Sequence, residues 1–551
     1  MKRTVLSLFA IFFAGNAALL AQPEWRIFTS TTGSKLEARV VSVDEDDVVL
    51  IRKADGKKFT LALDRLSDED QEFLRNYEPP AESTEPSEDM PEEPEGPRSF
   101  DHITTAAPDY FPDLSVGKDN SHQHFPLGPI GGVISVAMES NEAEVKSLAP
   151  DAPGAKAGLE AGDLITGAGG RKFDKLSADE ATGGDGLPRQ LGLAILAAQA
   201  AGTPLLLDIK RGEEKIEIKI DLPAAPDFTD FSTNCARSTA LAKSACHWLA
   251  ANYSKSGNFG TGDSYSNAFS AIALLASGNP EYKGIIRQHA HKVASILETS
   301  VDHNNWRATA MGIFLAEYHL ATGDDTVIEG IKACCKVMGE RIDPDTGRLG
   351  HGGTELPYEG KGLVITSGHV HLLWALASHC GIEIDEEAWD LSYRSIKASI
   401  GEEGNVGYNF SLTVSEESMA RTGITATALE LAAKSSGDKR GMYGWIKDNY
   451  KRSTNGHTVT SMGLIFGFMG KTNGDPRALR TSLDYHRFLL AMCTPIDPAQ
   501  GAYYYGLRTN IGGDSYLGFR TVGNYTTALI LHSVKKDTLW SFGNRKPSWS
   551  R

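Results

Sequence analysis

The residues this chain has few of narrow its function first. Cysteine is scarce, with six in 551 residues and none before Cys235, far below the density of a small domain built on disulfides. None falls in a C-x-x-C pair, so dithiol redox and zinc-knuckle spacings are absent. Cys334 and Cys335 are neighbours in a helical pattern, where successive side chains diverge by about 100°, and they cannot readily bond to each other. Buried thiols, or one or two long-range disulfides, are the readings left. Basic runs are missing too. Against 71 Asp+Glu there are 55 Lys+Arg, a formal charge of −16, and a chain without a cationic stripe cannot neutralise phosphates, which excludes nucleic acid as a partner. No G-x-S-x-G or G-N-S-G-G string occurs, which removes the common serine-hydrolase signatures. Beyond the N-terminus no apolar run reaches the ~20 residues that span a bilayer.

The N-terminus is the exception. Lys2 and Arg3 precede an apolar run over 5–20 and Ala21, the pattern of a secretory signal over 1–21. Cleavage after Ala21, or after Ala17, leaves no transmembrane anchor and no cysteine to lipidate. The expectation is an exported protein, periplasmic or extracellular. Its length implies three or four domains.

Over 24–77, apolar and polar residues alternate in four short runs separated by turn formers, which predicts hairpins, and Ser67 caps a short helix over 67–74. Trp25, Gly33, Ala38, Val43, K-A-D-G-K at 53–57, Leu66 and Ser67 make this stretch resemble the Sla homology module, a small SH3-like β-barrel. The resemblance implies a binding or spacer role. Residues 78–110 follow as a linker, and 78–98 carry eight acids against one base, too polar and self-repelling to order.

Residues 125–223 hold the most distinctive string, A-P-G-A-K-A-G-L-E-A-G-D-L-I-T at 152–166. A short helix, a Gly158 stop, a Gly162 turn and an apolar strand start follow one another. This order resembles the PDZ signature of bacterial envelope proteins, an α+β fold. The glycine-rich L-G-P-I-G-G loop at 127–132, a strand from Val133, an Ala-rich helix over 187–201 and a closing hairpin across Gly212 extend the resemblance. It implies a peptide groove between the Val133 strand and the Leu191 helix. The backbone N–H groups of Leu127, Gly128, Ile130, Gly131 and Gly132 would cradle a C-terminal carboxylate, so protein or peptide termini are the implied partners.

From 228 to 535 the chain is helical and repetitive, with a tail over 536–551. Six small-residue-rich apolar stretches, near 267–276, 308–318, 367–377, 423–433, 459–469 and 522–531, alternate with more amphipathic ones. Helices apolar almost all round are buried on both sides, and six inner helices paired with outer ones describe an all-α (α/α)6 toroid. The architecture resembles the terpenoid-cyclase and protein-prenyltransferase toroids, without their motifs. An acidic D-x-D-D cluster occurs only at 44–47, in a hairpin turn, and no Asp-x-Cys zinc motif exists. His369 and His371, like His289 and His291, are two apart on helices and point about 200° apart, whereas a helical zinc pair is spaced i, i+4. No metal and no cofactor is expected.

Glycine-rich loops precede several inner helices and would line the toroid mouth, where helix N-termini carry partial positive charge. Candidate cavity residues are Trp306, Arg307, His351, His369, Tyr408, Arg421 and Tyr504. Asp302, His303, Glu355 and Glu417 are candidates for acid–base work of the kind polysaccharide-degrading toroids perform with two carboxylates. As a whole, the order of signal, barrel, linker, PDZ-like unit and toroid resembles a family of exported bacterial PDZ–toroid proteins with no assigned activity. Two functions stay open. One is an envelope binding or scaffold protein that captures peptides and takes a polymer or small ligand in its toroid; the other is a toroid enzyme acting on glycans, or less readily on an isoprenoid or lipid.

Overall fold

The computed structural model describes residues 26–43, 47–52, 58–76, 122–177, 184–232, 234–410, 418–434, 436–456, 460–502, 507–508, 519–535 and 537–545. The expected signal at 1–21, the linker at 78–110 and the last residues of the tail lie outside them. Contacts divide the chain into two units, Met1–Pro97 and Arg98–Arg551.

In the first unit, β1 (Arg26–Thr29), β2 (Lys35–Val43), β3 (Asp47–Arg52) and β4 (Lys58–Ala62) form an antiparallel meander in that order. The alternation that predicts these strands puts Phe28, Ala38, Val40, Val48 and Leu50 on one buried face, closed by Leu63, Leu66 and Leu74. Ser67 caps α1 (Asp68–Arg75) by accepting the Asp70 N–H. The Asp70 carboxylate then accepts from Arg26 at 3.1 Å and from the Thr29 amide at 2.7 Å, tying helix to sheet.

The second unit starts with β5 (His122–Pro126), β6 (Gly132–Ala137), β7 (Ala143–Leu148), helix α2 (Pro153–Lys156), β8 (Leu164–Ala168), β9 (Arg171–Lys172), helix α3 (Leu187–Ala201), β10 (Leu205–Arg211) and β11 (Glu214–Ile220). The sheet order is β11-β10-β8-β7-β6-β5-β12, with β9 on β8, and the short β12 (Leu507–Arg508) arrives from the far end of the chain. Gly158 and Gly162 both take positive φ, 90° and 91°, and make the two turns that the 152–166 string predicts.

Two nested sets of helices follow. The outer set is α4 (Ala236–Ala251), α6 (Lys283–Thr299), α8 (Ile328–Glu340), α11 (Glu386–Ala398), α13 (Ser436–Asp448) and α15 (Pro476–Cys493). The inner set is α5 (Ser264–Ser277), α7 (Asn305–Thr322), α10 (Val364–His379), α12 (Met419–Leu431), α14 (Thr460–Gly474) and α16 (Phe519–His532), with the single turn α9 (Pro357–Gly360) leading into α10. Each inner helix packs on the next, and α16 packs back on α5, so the ring closes as an α/α toroid. The burial explains the sequence pattern: α10 is buried from Val364 through Ala377 without a break, whereas α11 buries only Trp389, Ser392 and Ile396.

The sheet and the toroid share one continuous hydrophobic core. Helix α3 lies along α15 so closely that a Cβ at Gly192 would sit 2.8 Å from the Phe488 carbonyl oxygen. Arg237 on α4 donates to the Gln199 side chain at 2.8 Å, and Arg487 pairs with Asp227. The segment expected as a tail is also built in. Leu539 and Phe542 are buried, and the Glu317 carboxylate, itself fully buried, accepts the backbone N–H of Trp540 at 2.8 Å and of Ser541 at 2.7 Å. A carboxylate at the start of that 3-10 turn satisfies donors that would otherwise be orphaned. Among the described residues, no helix is long and apolar enough to cross a membrane.

Candidate functional site

The inner helices begin at one end of the ring, and the loops there build the mouth. Asn304 caps α7, accepting the Arg307 N–H at 3.1 Å. The fully buried Asn305 donates its amide to the Gly350 and Gly353 carbonyls, at 3.1 and 3.2 Å, and accepts from Arg341 at 2.9 Å. Arg341 also donates to the Asp302 carbonyl at 2.7 Å. A buried amide with every arm bonded is costly to remove, about 1–3 kcal/mol per orphaned partner, so the 341–356 loop is fixed on the start of α7. Between them opens a cavity of about 310 Å³ lined by His303, Asn304, His351, Glu355 and Pro357.

Trp306 forms the side of the mouth. Its indole N–H donates to His351 Nδ1 at 3.1 Å, and the two rings lie nearly parallel. An indole can only donate, and burial holds the His351 imidazole below its usual pKa. The ring is therefore neutral, with its proton on Nε2. Glu355 is exposed and has no hydrogen-bond or ion partner among the described residues. Tyr358, 46 % exposed, and Tyr408 share a hydroxyl–hydroxyl contact of 3.0 Å. Tyr358 and Glu359 both hold left-handed backbone, φ 58° and 56°, which side-chain-bearing residues seldom adopt.

A polar chain runs inward from the mouth. Arg307 Nε donates to Asp263 at 2.9 Å, and the other Asp263 oxygen caps α5 through the Ser266 N–H at 3.0 Å. His369 donates from Nδ1 to the Ile365 carbonyl at 2.8 Å and, kept neutral by burial that drops its pKa to about 4, accepts the Tyr265 hydroxyl at Nε2, 3.2 Å away. Behind it the axis is filled. Tyr265 and Phe269 from α5 meet His369 from α10 and Phe466 from α14, with ring centroids 4.8 to 5.9 Å apart. Alternate helices of a six-membered ring can touch only across its centre. Aromatic rings therefore occupy the axis, and the accessible part is the rim.

Of the residues predicted from sequence, the structure brings His303, Trp306, Arg307, His351, Glu355 and His369 together. Asp302 borders them, but its carboxylate accepts the Asn304 N–H at 2.8 Å as part of a turn. Arg421 is buried, donates to the Val406 carbonyl at 3.2 Å and lies 5.3 Å from the Tyr408 ring. Glu417 and Tyr504 lie outside the described residues. Asp263 and Tyr265 were not singled out by sequence, although Asp263 directly before an apolar helical run is a legible N-cap. The histidine pairs do diverge. His371 packs among Trp374, Trp389 and Tyr393, away from the axis. Among the described residues no group of three or more metal-ligating side chains comes together.

The expected peptide groove differs from expectation. Leu127, Gly128, Ile130, Gly131, Gly132, Val133 and Leu191 are all buried. The 3-10 turn Gly128–Ile130 packs on α15, and a Cβ at Gly128 would sit 2.5 Å from the Ala491 carbonyl oxygen. The amides of Leu127, Ile130 and Gly131 donate to Gly132, Leu127 and Gly128 carbonyls at 2.7, 3.1 and 3.0 Å, so they cannot cradle a carboxylate. Strand β6, the edge a peptide would extend, pairs with β7 on one side and over its length with β5 on the other. The chain supplies its own strand there.

The fold and site define an α/α toroid with a polar, aromatic-flanked mouth and a sheet module fused to its outer wall. The chain belongs to the family described as Domain of unknown function (DUF6288), whose model matches residues 238–542, more than half of the sequence. No curated protein matches it. Among solved structures, the GH76A α-1,6-mannanase of Salegentibacter sp. HEL1_6 is 11% identical over 54% of this chain and 97% of its own, with a TM-score of 0.38. An unsaturated glucuronyl hydrolase of Streptococcus agalactiae is 12% identical over 55% of this chain and 91% of its own, with a TM-score of 0.35. Likeness at that level adds nothing to what the helix contacts already show.

Proposed function

We propose that the protein takes a glycan segment at the mouth of its toroid, after export to the periplasm or cell exterior. The observation that carries this reading is the rim cavity lined by His303, His351 and Glu355, with Trp306 hydrogen-bonded to its His351. A neutral imidazole donor at His351 Nε2 and an unpaired carboxylate acceptor at Glu355 stand together at one cavity, which is the pairing that vicinal sugar hydroxyls need. Trp306, Tyr358 and Tyr408 offer amphipathic ring surface nearby, the side chains that combine an apolar body with a polar tip. The N-termini of α5 and α7 add partial positive charge at the same rim. Hydrolysis by two carboxylates would need a partner for Glu355 at about 5 to 9.5 Å. Asp263 is already paired with Arg307 and Asp302 is held in its turn, so capture is the function these residues support, and hydrolysis a further step to be assayed.

In the same reading, residues 26–76 form an SH3-like module, supported by the four-strand meander. Residues 122–223 form a PDZ-like module whose groove is filled by β5, supported by the turn glycines and the helix α3. Its role is to brace the toroid wall and not to capture peptide ends. The test is a glycan array probed with the wild-type protein and with Trp306→Ala and Glu355→Gln. Binding to particular glycans that both substitutions weaken is the expected outcome. A protein that binds no glycan, or binds equally well without Trp306, would sink the proposal.

A further inference from the structure

At the end of the toroid opposite the mouth lies a second cavity, of about 180 Å³. It opens between the first turns of α4, the C-terminus of α5 and the C-terminus of α16. The length of α5 separates it from Asp263, about 20 Å at 1.5 Å per residue, so it is independent of the rim site. Two lysines line it. Lys243 comes from the exposed face of α4 and Lys535 from the turn after α16. Neither has a carboxylate within 4.0 Å among the described residues, although most of the lysines here that form ion pairs do so with a neighbour on their own or an adjacent element. The Lys535 ammonium acts on the cavity floor, pushing down the pKa of both Cys246 and His532. Two lysines lining one concave space without a carboxylate of their own leave positive charge there for an anion to meet. Ser232 and Thr239, near the start of α4, line the same space, the Ser232 hydroxyl accepting the Asn234 N–H at 3.2 Å, and that helix end carries partial positive charge.

The floor does no chemistry of its own. Cys246 Sγ stands 3.9 Å from His532 Nε2, the spacing of a nucleophilic pair. Burial raises the thiol to about 12 and lowers the imidazole to about 3, so both remain neutral near pH 7. A thiolate–imidazolium pair needs the opposite shifts.

We propose that this cavity binds a small oxyanion, a phosphate, sulfate or carboxylate group, clamped between Lys243 and Lys535. Its size suits a free anion or one charged headgroup and not an extended polymer. Thermal unfolding of the full chain, titrated at constant ionic strength with inorganic phosphate, sodium sulfate or glucuronate, tests it and ranks the three chemistries. The expected result is a midpoint that rises with at least one of them in the wild-type protein. In Lys243→Met/Lys535→Met the response should weaken by about tenfold or more in apparent affinity, the loss expected when charge-assisted hydrogen bonds are removed. The single variants Lys243→Gln and Lys535→Gln, each expected to weaken the response, stand in if the double variant does not fold. No response to any of the three anions, or an equal response in variants lacking the lysines, overturns the proposal. Glycan capture at the rim should be untouched by either lysine, so the two proposals fail separately.

Discussion

At the scale of single residues, His371 shows how much a buried side chain can cost. Neither ring nitrogen has a hydrogen-bond partner among the described residues, and its ring lies 4.3 Å from that of Trp389. Burial lowers its pKa from the usual 6.5 to about 3. The folded state therefore resists a proton that the unfolded chain accepts. The neutral form's stability is complete above pH 6.5 and is lost as the pH falls from there toward 3. At pH 5 the penalty from this one group is about 2 kcal/mol. His371→Leu removes the linkage along with two unsatisfied polar atoms. Urea unfolding should place the variant within about 1 kcal/mol of wild type at pH 7.5, and ahead of it by about 2 kcal/mol more at pH 5. Parallel pH profiles for the two proteins would contradict the assignment. His289, His369 and His532 are lowered by the same cause, so the wild-type protein should lose stability steeply in mild acid.

Among the elements, those legible in the sequence are the ones whose own pattern suffices. The six inner helices show as apolar stretches because both of their faces are covered. Helices α4 and α13 escape the pattern. Small and polar residues in A-R-S-T-A-L-A-K and glycines in S-G-D-K-R-G-M-Y-G dilute their stripes, and in α13 packing supplies what glycine takes from helix propensity. Strand β5 escapes it altogether, since H-Q-H-F-P has no alternation and depends on its ladder with β6. That one unread strand reverses the meaning of the loop beside it, from an open carboxylate cradle to a covered edge. The rim was half legible for a similar reason. Trp306, His351 and His369 announce themselves as polar or aromatic residues near loops, but Tyr265 gains its role only by meeting His369 across 104 positions of sequence. The docking of α3 on α15 gives a prediction at this scale. In a free helix, Gly→Ala stabilises by up to about 1 kcal/mol. At Gly192 the new methyl would strike the Phe488 backbone, and Gly192→Ala should instead destabilise by about 1–3 kcal/mol in urea unfolding. A gain would mean that the two helices are not packed as described.

For the whole molecule, the shared core between sheet and toroid and the ring-filled axis leave the rim, of the three sites weighed for a polymer, as the one where we propose glycan capture. The peptide route is closed by β5, and the deep lumen by Phe269, Phe466 and His369. Hydrogen–deuterium exchange with and without a glycan selected from the array reads both routes in one experiment. Slower exchange at 300–307 and 346–358, with no change at 127–137, is the result this account predicts. Protection at 127–137 with the rim unchanged would contradict it and return the sheet module to the role of receptor.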